Sequence, residues 1–63
     1  MNPQPSPEGA MAEWRKGYRY GFDDNYIPPW RYDYYTASFF YGWRAGKADI
    51  DQLVDEVAQA RYE

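Results

Sequence analysis

Few side chains in this sequence could carry out catalytic or metal chemistry. The chain contains neither cysteine nor histidine, so it lacks thiolate ligands, the usual zinc ligand sets and a side chain that titrates near neutral pH. Asp23, Asp24 and Asp33 could in principle hold a hard cation. Their spacing matches no calcium loop, however, and the sequence has no phosphate-binding or dinucleotide-binding glycine motif. We therefore predict a binding protein rather than an enzyme, with no catalytic residue, metal site or cofactor.

Basic and aromatic side chains are the groups best suited to binding. Arginine and lysine neutralise phosphates, and exposed rings stack on unpaired bases. If the cations share one face, each could contact one phosphate of a folded RNA. The candidates for contact with RNA are Arg15, Lys16, Arg19, Arg31, Arg44, Lys47 and Trp30. A nucleic-acid partner is thus the first of two alternatives.

A protein partner is the second alternative. Aromatic residues make up 22% of the chain, and the formal net charge is −3. Aromatic anchors ringed by polar residues are the usual composition of an interface hot spot, and carboxylates could imitate phosphates in a nucleic-acid groove of the partner. The candidates are Tyr26, Tyr32, Tyr34, Asp51, Asp55 and Glu56. The corresponding function is a binding module or inhibitor, carried by a mobile element, that acts on one host protein. Homodimerisation through the aromatic surface is a further option.

The charges are unevenly distributed along the chain. Residues 1–48 hold six basic and five acidic side chains, a net of +1, so the total of −3 leaves −4 on residues 49–63. Carboxylates repel phosphate within a Debye length of roughly 8–10 Å. The acidic C-terminal segment therefore opposes any binding of RNA close to it.

A repeated glycine and aromatic frame is the strongest structural signal. In each of the segments 14–22 and 39–47, a glycine is followed by an aromatic residue, an arginine, any residue and a second glycine. Another aromatic residue lies three positions before the first glycine. Glycines at i and i+4 lie on one face of a helix. Two helices could therefore approach closely at these glycines until the flanking rings interlock. The alternative is that the second glycine of each pair is only a helix C-cap.

The first helix is predicted from its start signal. Ser6 is a good N-cap and Pro7 suits the first helical position, so a helix is expected over about residues 7–22, after a disordered tail at 1–5.

The linker that follows contains two adjacent prolines, which exclude a helix there. Ile27 and Trp30 flank this stiff pair, and we expect them to cap the open end of a helical hairpin.

Two more helices complete the prediction of a single helical domain over 6–63. The second runs over about 34–45 with Asp33 as its N-cap, and Gly46-Lys47-Ala48 ends it. The third runs over about 50–61, and a variant capping box formed by Asp49 and Gln52 opens it. Its amphipathic stripe should fold back onto the hairpin and consists of Ile50, Leu53, Val54, Val57 and Ala58. The predicted fold class is all-α, a small helical hairpin with a proline-containing linker plus a C-terminal amphipathic helix.

The sequence also predicts a cytoplasmic protein. The longest uncharged aromatic run, residues 34–43, has ten residues, whereas a membrane-spanning helix needs about twenty. The N-terminus lacks a basic region followed by an apolar one, so it is not a secretory signal.

Several motifs of the chain share a common spacing pattern: Gly17-Tyr18 with Gly21, Pro29-Trp30, Phe39, Gly42-Trp43-Arg44 and Asp49. Their joint spacing resembles that of the small ribosome modulation factor family, which includes plasmid-borne and phage-borne relatives. The interval from Trp30 to Trp43 matches the family's spacing, and Phe39 falls where the family has another tryptophan. The resemblance covers about residues 14–49.

The resemblance implies a fold and a function. The implied fold is two helices joined by a proline-containing linker. The implied role is cytoplasmic: binding ribosomes in slow growth near the messenger exit region and promoting inactive paired ribosomes, that is, ribosome hibernation and regulation of translation. It also implies framework roles for Tyr18, Trp30, Phe39 and Trp43, and a ribosome contact for Arg44. A ribosome modulator that binds rRNA is therefore the favoured prediction, with the protein-binding module as the alternative.

Overall fold

The predicted all-α fold class is confirmed by a computed structural model of the protein, which describes residues 6–62. Within that range the backbone forms α1 over Pro7–Phe22, a 3₁₀ helix over Pro29–Tyr34 and α2 over Ala37–Tyr62, with no strand. Two packed helices joined by a proline-containing linker are therefore present. The predicted disordered tail at 1–5 lies outside the described residues.

Local sequence accounts for both ends of α1. The Ser6 Oγ accepts a hydrogen bond at 3.3 Å from the backbone N–H three residues later, which is the predicted N-cap. At the other end the Asp24 N–H donates to the Gly21 carbonyl at 2.9 Å and the Asn25 N–H donates to the Tyr20 carbonyl at 3.3 Å. These are the two bonds of a Schellman motif. Asp24 takes the left-handed position of this motif, with φ 65°, so the chain turns sharply out of the helix.

The second helix begins later than predicted. Residues 29–34 form the 3₁₀ helix and Tyr35 is extended, with φ −110° and ψ 156°, so Asp33 is not the N-cap of an α-helix. Thr36 caps α2 instead, since its Oγ1 accepts a hydrogen bond from the Phe39 N–H at 3.1 Å. The proline pair excludes an α-helix as predicted. The second proline nevertheless opens the 3₁₀ helix, because proline suits the first position of a helix.

α2 is one continuous helix over Ala37–Tyr62. The predicted break at 46–48 is therefore wrong, and the helices expected over about 34–45 and 50–61 are a single helix. The C-terminal segment also does not fold back onto the rest of the protein, because every residue from 51 to 61 is exposed. It continues as part of α2 beyond the end of α1.

Two contacts explain why the helix does not stop at the predicted break. Gly46 faces α1, where a Cβ would lie 2.1 Å from the Tyr18 carbonyl oxygen, and no glycine in the described residues has a positive φ. Gly46 is therefore not a left-handed C-cap. Asp49 does not cap a new helix, because its carboxylate accepts a hydrogen bond from the Tyr18 Oη at 2.5 Å.

The four paired glycines form the contact between α1 and α2. A Cβ built on Gly17 would lie 1.9 Å from the Phe39 carbonyl oxygen, and one built on Gly42 would lie 2.0 Å from the Trp14 carbonyl oxygen. The second glycine of each pair is equivalent, with distances of 2.2 Å and 2.1 Å. A side chain at any of the four would push the two backbones apart. The prediction of close packing is confirmed.

The order of these contacts shows that the two helices run in the same direction. Gly17 lies against the backbone of 39–43, and Gly21 lies against that of 43–47. Positions that differ by 25 (17 with 42, 21 with 46) therefore sit at equivalent places. The repeat in the sequence becomes an approximate twofold symmetry about an axis between the helices. The arrangement is therefore parallel rather than antiparallel. It follows that the linker must return along the helix pair before α2 begins.

The core lies beneath the returning linker. Ile27 and Trp43 are 1% and 7% exposed, the lowest values among the large apolar side chains of residues 6–62. The Trp43 Nε1–H donates to the Asn25 carbonyl at 2.8 Å, which ties the linker to α2. Ile27 thus closes one side of the helix pair. The expectation that Trp30 does so too is wrong, because the 3₁₀ helix turns Tyr32 towards α2 and leaves Trp30 82% exposed.

Candidate functional site

Three of the predicted cations share the outer face of α1. Arg15, Lys16 and Arg19 are exposed, and their spacing places them on one side of a helix. The glycines of α1 face α2, so these cations point away from it. The Lys16 Nζ lies 3.4 Å from the Glu13 Oε1, an exposed pair within the same helix. We call Arg15, Lys16 and Arg19 the α1 basic face.

Two other predicted cations lie elsewhere. Arg44 is the equivalent of Arg19 in the repeat, so it occupies the outer face of α2, on the far side of the pair. Its guanidinium carbon lies 6.0 Å from the centroid of the Phe40 ring. Arg31 belongs to the 3₁₀ helix, with its guanidinium carbon 5.9 Å from the Tyr34 ring centroid. The predicted cations therefore do not form a single surface.

Lys47 connects the two helices. Its Nζ lies 2.5 Å from the Asp24 Oδ1, and its side chain is 27% exposed. The hydrogen bond with Asp24 raises the pKa of the Lys47 ammonium; the negative charges of Asp24 and Asp51 add to this effect and partial burial opposes it. Because Asp24 occupies the left-handed turn after α1, this ion pair links the end of α1 to α2.

The linker presents three aromatic side chains to solvent. Tyr26, Trp30 and Tyr34 are 68%, 82% and 78% exposed, and we call them the linker rings. Tyr32, predicted with them as an interface residue, is half-buried. Its ring centroid lies 4.7 Å from that of Phe40, so it belongs to the packing between linker and α2 instead.

A further row of rings, which was not predicted as a unit, lines one side of α1. Trp14 stacks on Tyr18 and Tyr18 on Phe22, with centroid distances of 5.3 Å and 5.9 Å and interplanar angles of 18°. Their spacing of four residues is the signal that was available. In the repeat, Trp14 and Tyr18 correspond to Phe39 and Trp43, which the linker covers. On α1 no such cover is present among residues 6–62, and Trp14 is 40% exposed.

The Tyr18 hydroxyl joins this row of rings to α2. It donates a hydrogen bond to the Asp49 Oδ2 at 2.5 Å. That bond raises the pKa of the Tyr18 phenol, with partial burial and the negative charge of Asp49 acting in the same direction. The sequence predicts Asp49 in a capping box, so this pairing across the two helices is a new finding of the structure.

The acidic interface candidates lie on the part of α2 that projects past α1. We call residues 48–62 the α2 extension. Asp51, Asp55 and Glu56 are exposed there, and the Gln52 Nε2 lies 3.4 Å from the Glu56 Oε1. An open groove joins the end of α1 to the start of the extension and is lined by Tyr18, Phe22, Asp49, Gln52, Leu53 and Glu56.

These surfaces offer charge, stacking and apolar contact. Within residues 6–62, no group of three or more acidic side chains is arranged to hold a metal ion. Over the same residues, neither helix combines the length and the apolar character that crossing a bilayer requires.

The fold and these surfaces define a small all-helical protein built on a glycine-packed parallel pair of helices. No family model matches the chain, and no curated protein or solved structure matches it either. The resemblance to the ribosome modulation factor family therefore rests on the motifs of the chain itself.

Proposed function

We propose that this protein is a ribosome modulation factor-like modulator of translation that binds rRNA on the ribosome. The observation that carries the proposal is the α1 basic face. Arg15, Lys16 and Arg19 are exposed together on one helix face, and clustered cations of this kind neutralise neighbouring phosphates. The resemblance to the ribosome modulation factor family is the reason for proposing that this RNA is rRNA.

The exposed linker rings support the same proposal. Trp30 is 82% exposed, so it contributes little to the fold and is available to stack on an unpaired base. Stacking of this kind contributes about 1–3 kcal/mol per base to single-stranded RNA binding. The basic face and the linker rings together offer both phosphate contacts and base contacts.

The acidic segment lies far enough away to leave the basic face effective. Arg19 sits level with position 44 of α2 because of the offset of 25 between the helices. At 1.5 Å per residue, Asp51 and Asp55 lie about 10 Å and 16 Å further along the helix axis. Those separations equal or exceed the Debye length of about 8–10 Å. Repulsion of phosphate by Asp51 and Asp55 is therefore largely screened at Arg15 and Arg19, whereas Asp49, about 8 Å beyond the level of Arg19, still contributes.

The proposal is tested by co-sedimentation with bacterial ribosomal particles across a salt series. We expect binding at low salt that weakens as salt rises. The slope of log affinity against log salt is negative, and each phosphate contact contributes about 0.7–0.9 to its magnitude. The double variant Arg15→Gln/Arg19→Gln should therefore make the slope shallower by about 1.5. The control Arg61→Gln removes one charge near the end of α2, outside the predicted RNA contacts, and should leave the slope unchanged.

A substitution at Trp30 tests the stacking contact separately. Trp30→Ala should leave the unfolding midpoint unchanged, because the ring is exposed, and should weaken ribosome binding by about fivefold or more. Trp30→Phe keeps a ring and should retain most of the affinity. Absence of the protein from the ribosomal pellet at low salt would refute the proposed function.

A protein-binding module is the second candidate, and the exposed linker rings are the observation in its favour. Tyr26 and Tyr34 lie on the same linker as Trp30 and are also largely exposed, a composition typical of interface anchors. In that case a single host protein co-purifies with the chain after RNase treatment. Tyr26→Ala and Tyr34→Ala should then abolish capture, while Arg15→Gln/Arg19→Gln should not affect it.

A further inference from the structure

The α2 extension carries an apolar stripe that the rest of residues 6–62 leaves largely exposed. Ile50, Leu53 and Val57 follow Gly46 at spacings of four, three and four, so they continue the face that packs against α1. Leu53, Val54 and Val57 are 43%, 59% and 54% exposed. α1 ends at Phe22, which is level with position 47, so the stripe begins where its covering helix stops.

The extension makes few contacts that would stabilise it as a helix. An isolated helix shorter than about 12–15 residues is marginal in water, and most helical stability in proteins comes from packing an amphipathic face. The extension contains fifteen residues, 48–62, and includes β-branched Ile50, Val54 and Val57, which favour helix only weakly. Covering the stripe would supply the missing stabilisation.

We propose that the stripe is covered by the α2 extension of a second copy of this chain, which packs antiparallel to the first. The two extensions have the same length and the same apolar face, so one twofold axis covers both stripes at once. The tip of each extension then reaches the groove beside the end of the other copy's α1. Each α2 is thereby covered along its length, first by its own α1 and then by the second copy. This inference is independent of the proposed ribosome binding.

The charges of the extension favour the antiparallel direction. Asp49 and Asp51 lie at its start, and Arg61 lies at the end of the stripe among the residues that line the apolar surface. Antiparallel pairing over residues 50–61 brings Arg61 of each copy next to Asp51 of the other. Parallel pairing would place Arg61 beside Arg61 and acid beside acid, which is unfavourable. Two complementary ion pairs therefore accompany the apolar contact.

Analytical ultracentrifugation of the full chain from micromolar to millimolar concentration tests the proposal. We expect the mass to rise from 7.5 kDa to twice that value and the helical circular dichroism per residue to rise over the same range. Val57→Asp should weaken the association about tenfold or more, because it places a charge in the contact. Gln59→Asp introduces the same charge on the opposite side of the helix, and should leave the association unchanged.

A charge swap tests the direction of packing. Arg61→Asp and Asp51→Arg should each weaken the dimer several-fold, and the double variant should restore it. If the double variant is as weak as the two single changes together, the antiparallel arrangement is wrong. A mass of 7.5 kDa at every concentration, or full association of Val57→Asp, would overturn the proposal. A monomer that instead binds neutral phosphatidylcholine vesicles through the same stripe would also overturn it.

Discussion

At the scale of single residues, glycine has a role in this protein that is opposite to its usual one. Within a helix, glycine normally costs about 1 kcal/mol relative to alanine. Here Gly17 and Gly42 allow the two backbones to approach until a Cβ on either would lie 1.9–2.0 Å from a carbonyl oxygen of the other helix. The absence of a side chain is therefore what permits the fold.

Replacing these glycines with alanine should destabilise the protein. Helix propensity alone predicts a gain of about 1 kcal/mol for Gly17→Ala or Gly42→Ala, whereas the clash with backbone atoms predicts a larger loss. We expect a net decrease of about 2 kcal/mol or more in the free energy of unfolding, measured by urea denaturation. The control is Gly9→Ala in the first turn of α1, outside the contact, which should be neutral or stabilising. Stabilisation by alanine at both contact positions would contradict the packing described above.

The pKa shifts of Tyr18 and Lys47 predict how stability depends on pH. Both pKa values are raised by hydrogen bonds to carboxylates, Asp49 and Asp24 respectively, so the folded chain holds these protons more tightly than the unfolded chain. Their contribution is fully present below the unfolded pKa values of about 10 and is lost as the pH rises through the folded ones. The urea midpoint should therefore fall above about pH 10.

The Tyr18 contribution can be isolated by substitution. Tyr18→Phe removes the hydroxyl that donates to Asp49 and keeps the ring stacked between Trp14 and Phe22. The variant should show a smaller fall in the urea midpoint between pH 9 and about pH 11 than the unmodified chain. An identical fall in both proteins would mean that this hydrogen bond does not contribute to stability.

At the scale of elements, the start of α2 depends on one hydroxyl. The Thr36 Oγ1 accepts the Phe39 N–H at 3.1 Å, and loss of such a cap costs about 0.5–2 kcal/mol. Thr36→Ala should lower the free energy of unfolding by that amount, measured by thermal or urea denaturation, whereas Thr36→Ser keeps the acceptor and should lose much less. Equal effects of the two substitutions would show that the contact is not a cap.

The elements also show what could and could not be predicted from the sequence. Paired glycines at matched spacing predicted the helix contact, because the same four-residue interval recurs with aromatic neighbours. The same reasoning misplaced the end of the second helix at Gly46, because glycine suits both a C-cap and a close contact, and spacing alone does not distinguish them. Asp49 was assigned to a cap for a similar reason. Its actual partner, Tyr18, lies 31 residues away in the chain and leaves no local pattern.

Exposure was the least predictable property of the candidate site. Ile27 and Trp30 flank the same prolines, yet one is 1% and the other 82% exposed. No periodic pattern separates them, because Ile27 lies in the irregular part of the linker and Trp30 in the 3₁₀ helix that follows it. The basic candidates were likewise identified by type, but the repeat places Arg19 and Arg44 on opposite outer faces of the pair.

At the scale of the whole molecule, the two halves of α2 differ in what supports them. Residues 37–47 are level with α1 and lie beside the linker, whereas 51–61 are exposed throughout. Helical segments without tertiary packing open locally at little cost in free energy. The long helix is thus continuous in structure but should not be uniform in stability.

Amide hydrogen exchange measured by NMR should reveal this difference. In dilute solution we expect the amides around 40–49 to be protected close to the level of global unfolding, and those of 51–61 to exchange close to the rate of an unfolded chain. Raising the protein concentration should slow exchange in the second group, because association of two extensions covers the apolar stripe. In Val57→Asp the second group should stay fast at every concentration while the first group stays protected. Equal protection of both groups in dilute solution would show that the extension is stable without a partner.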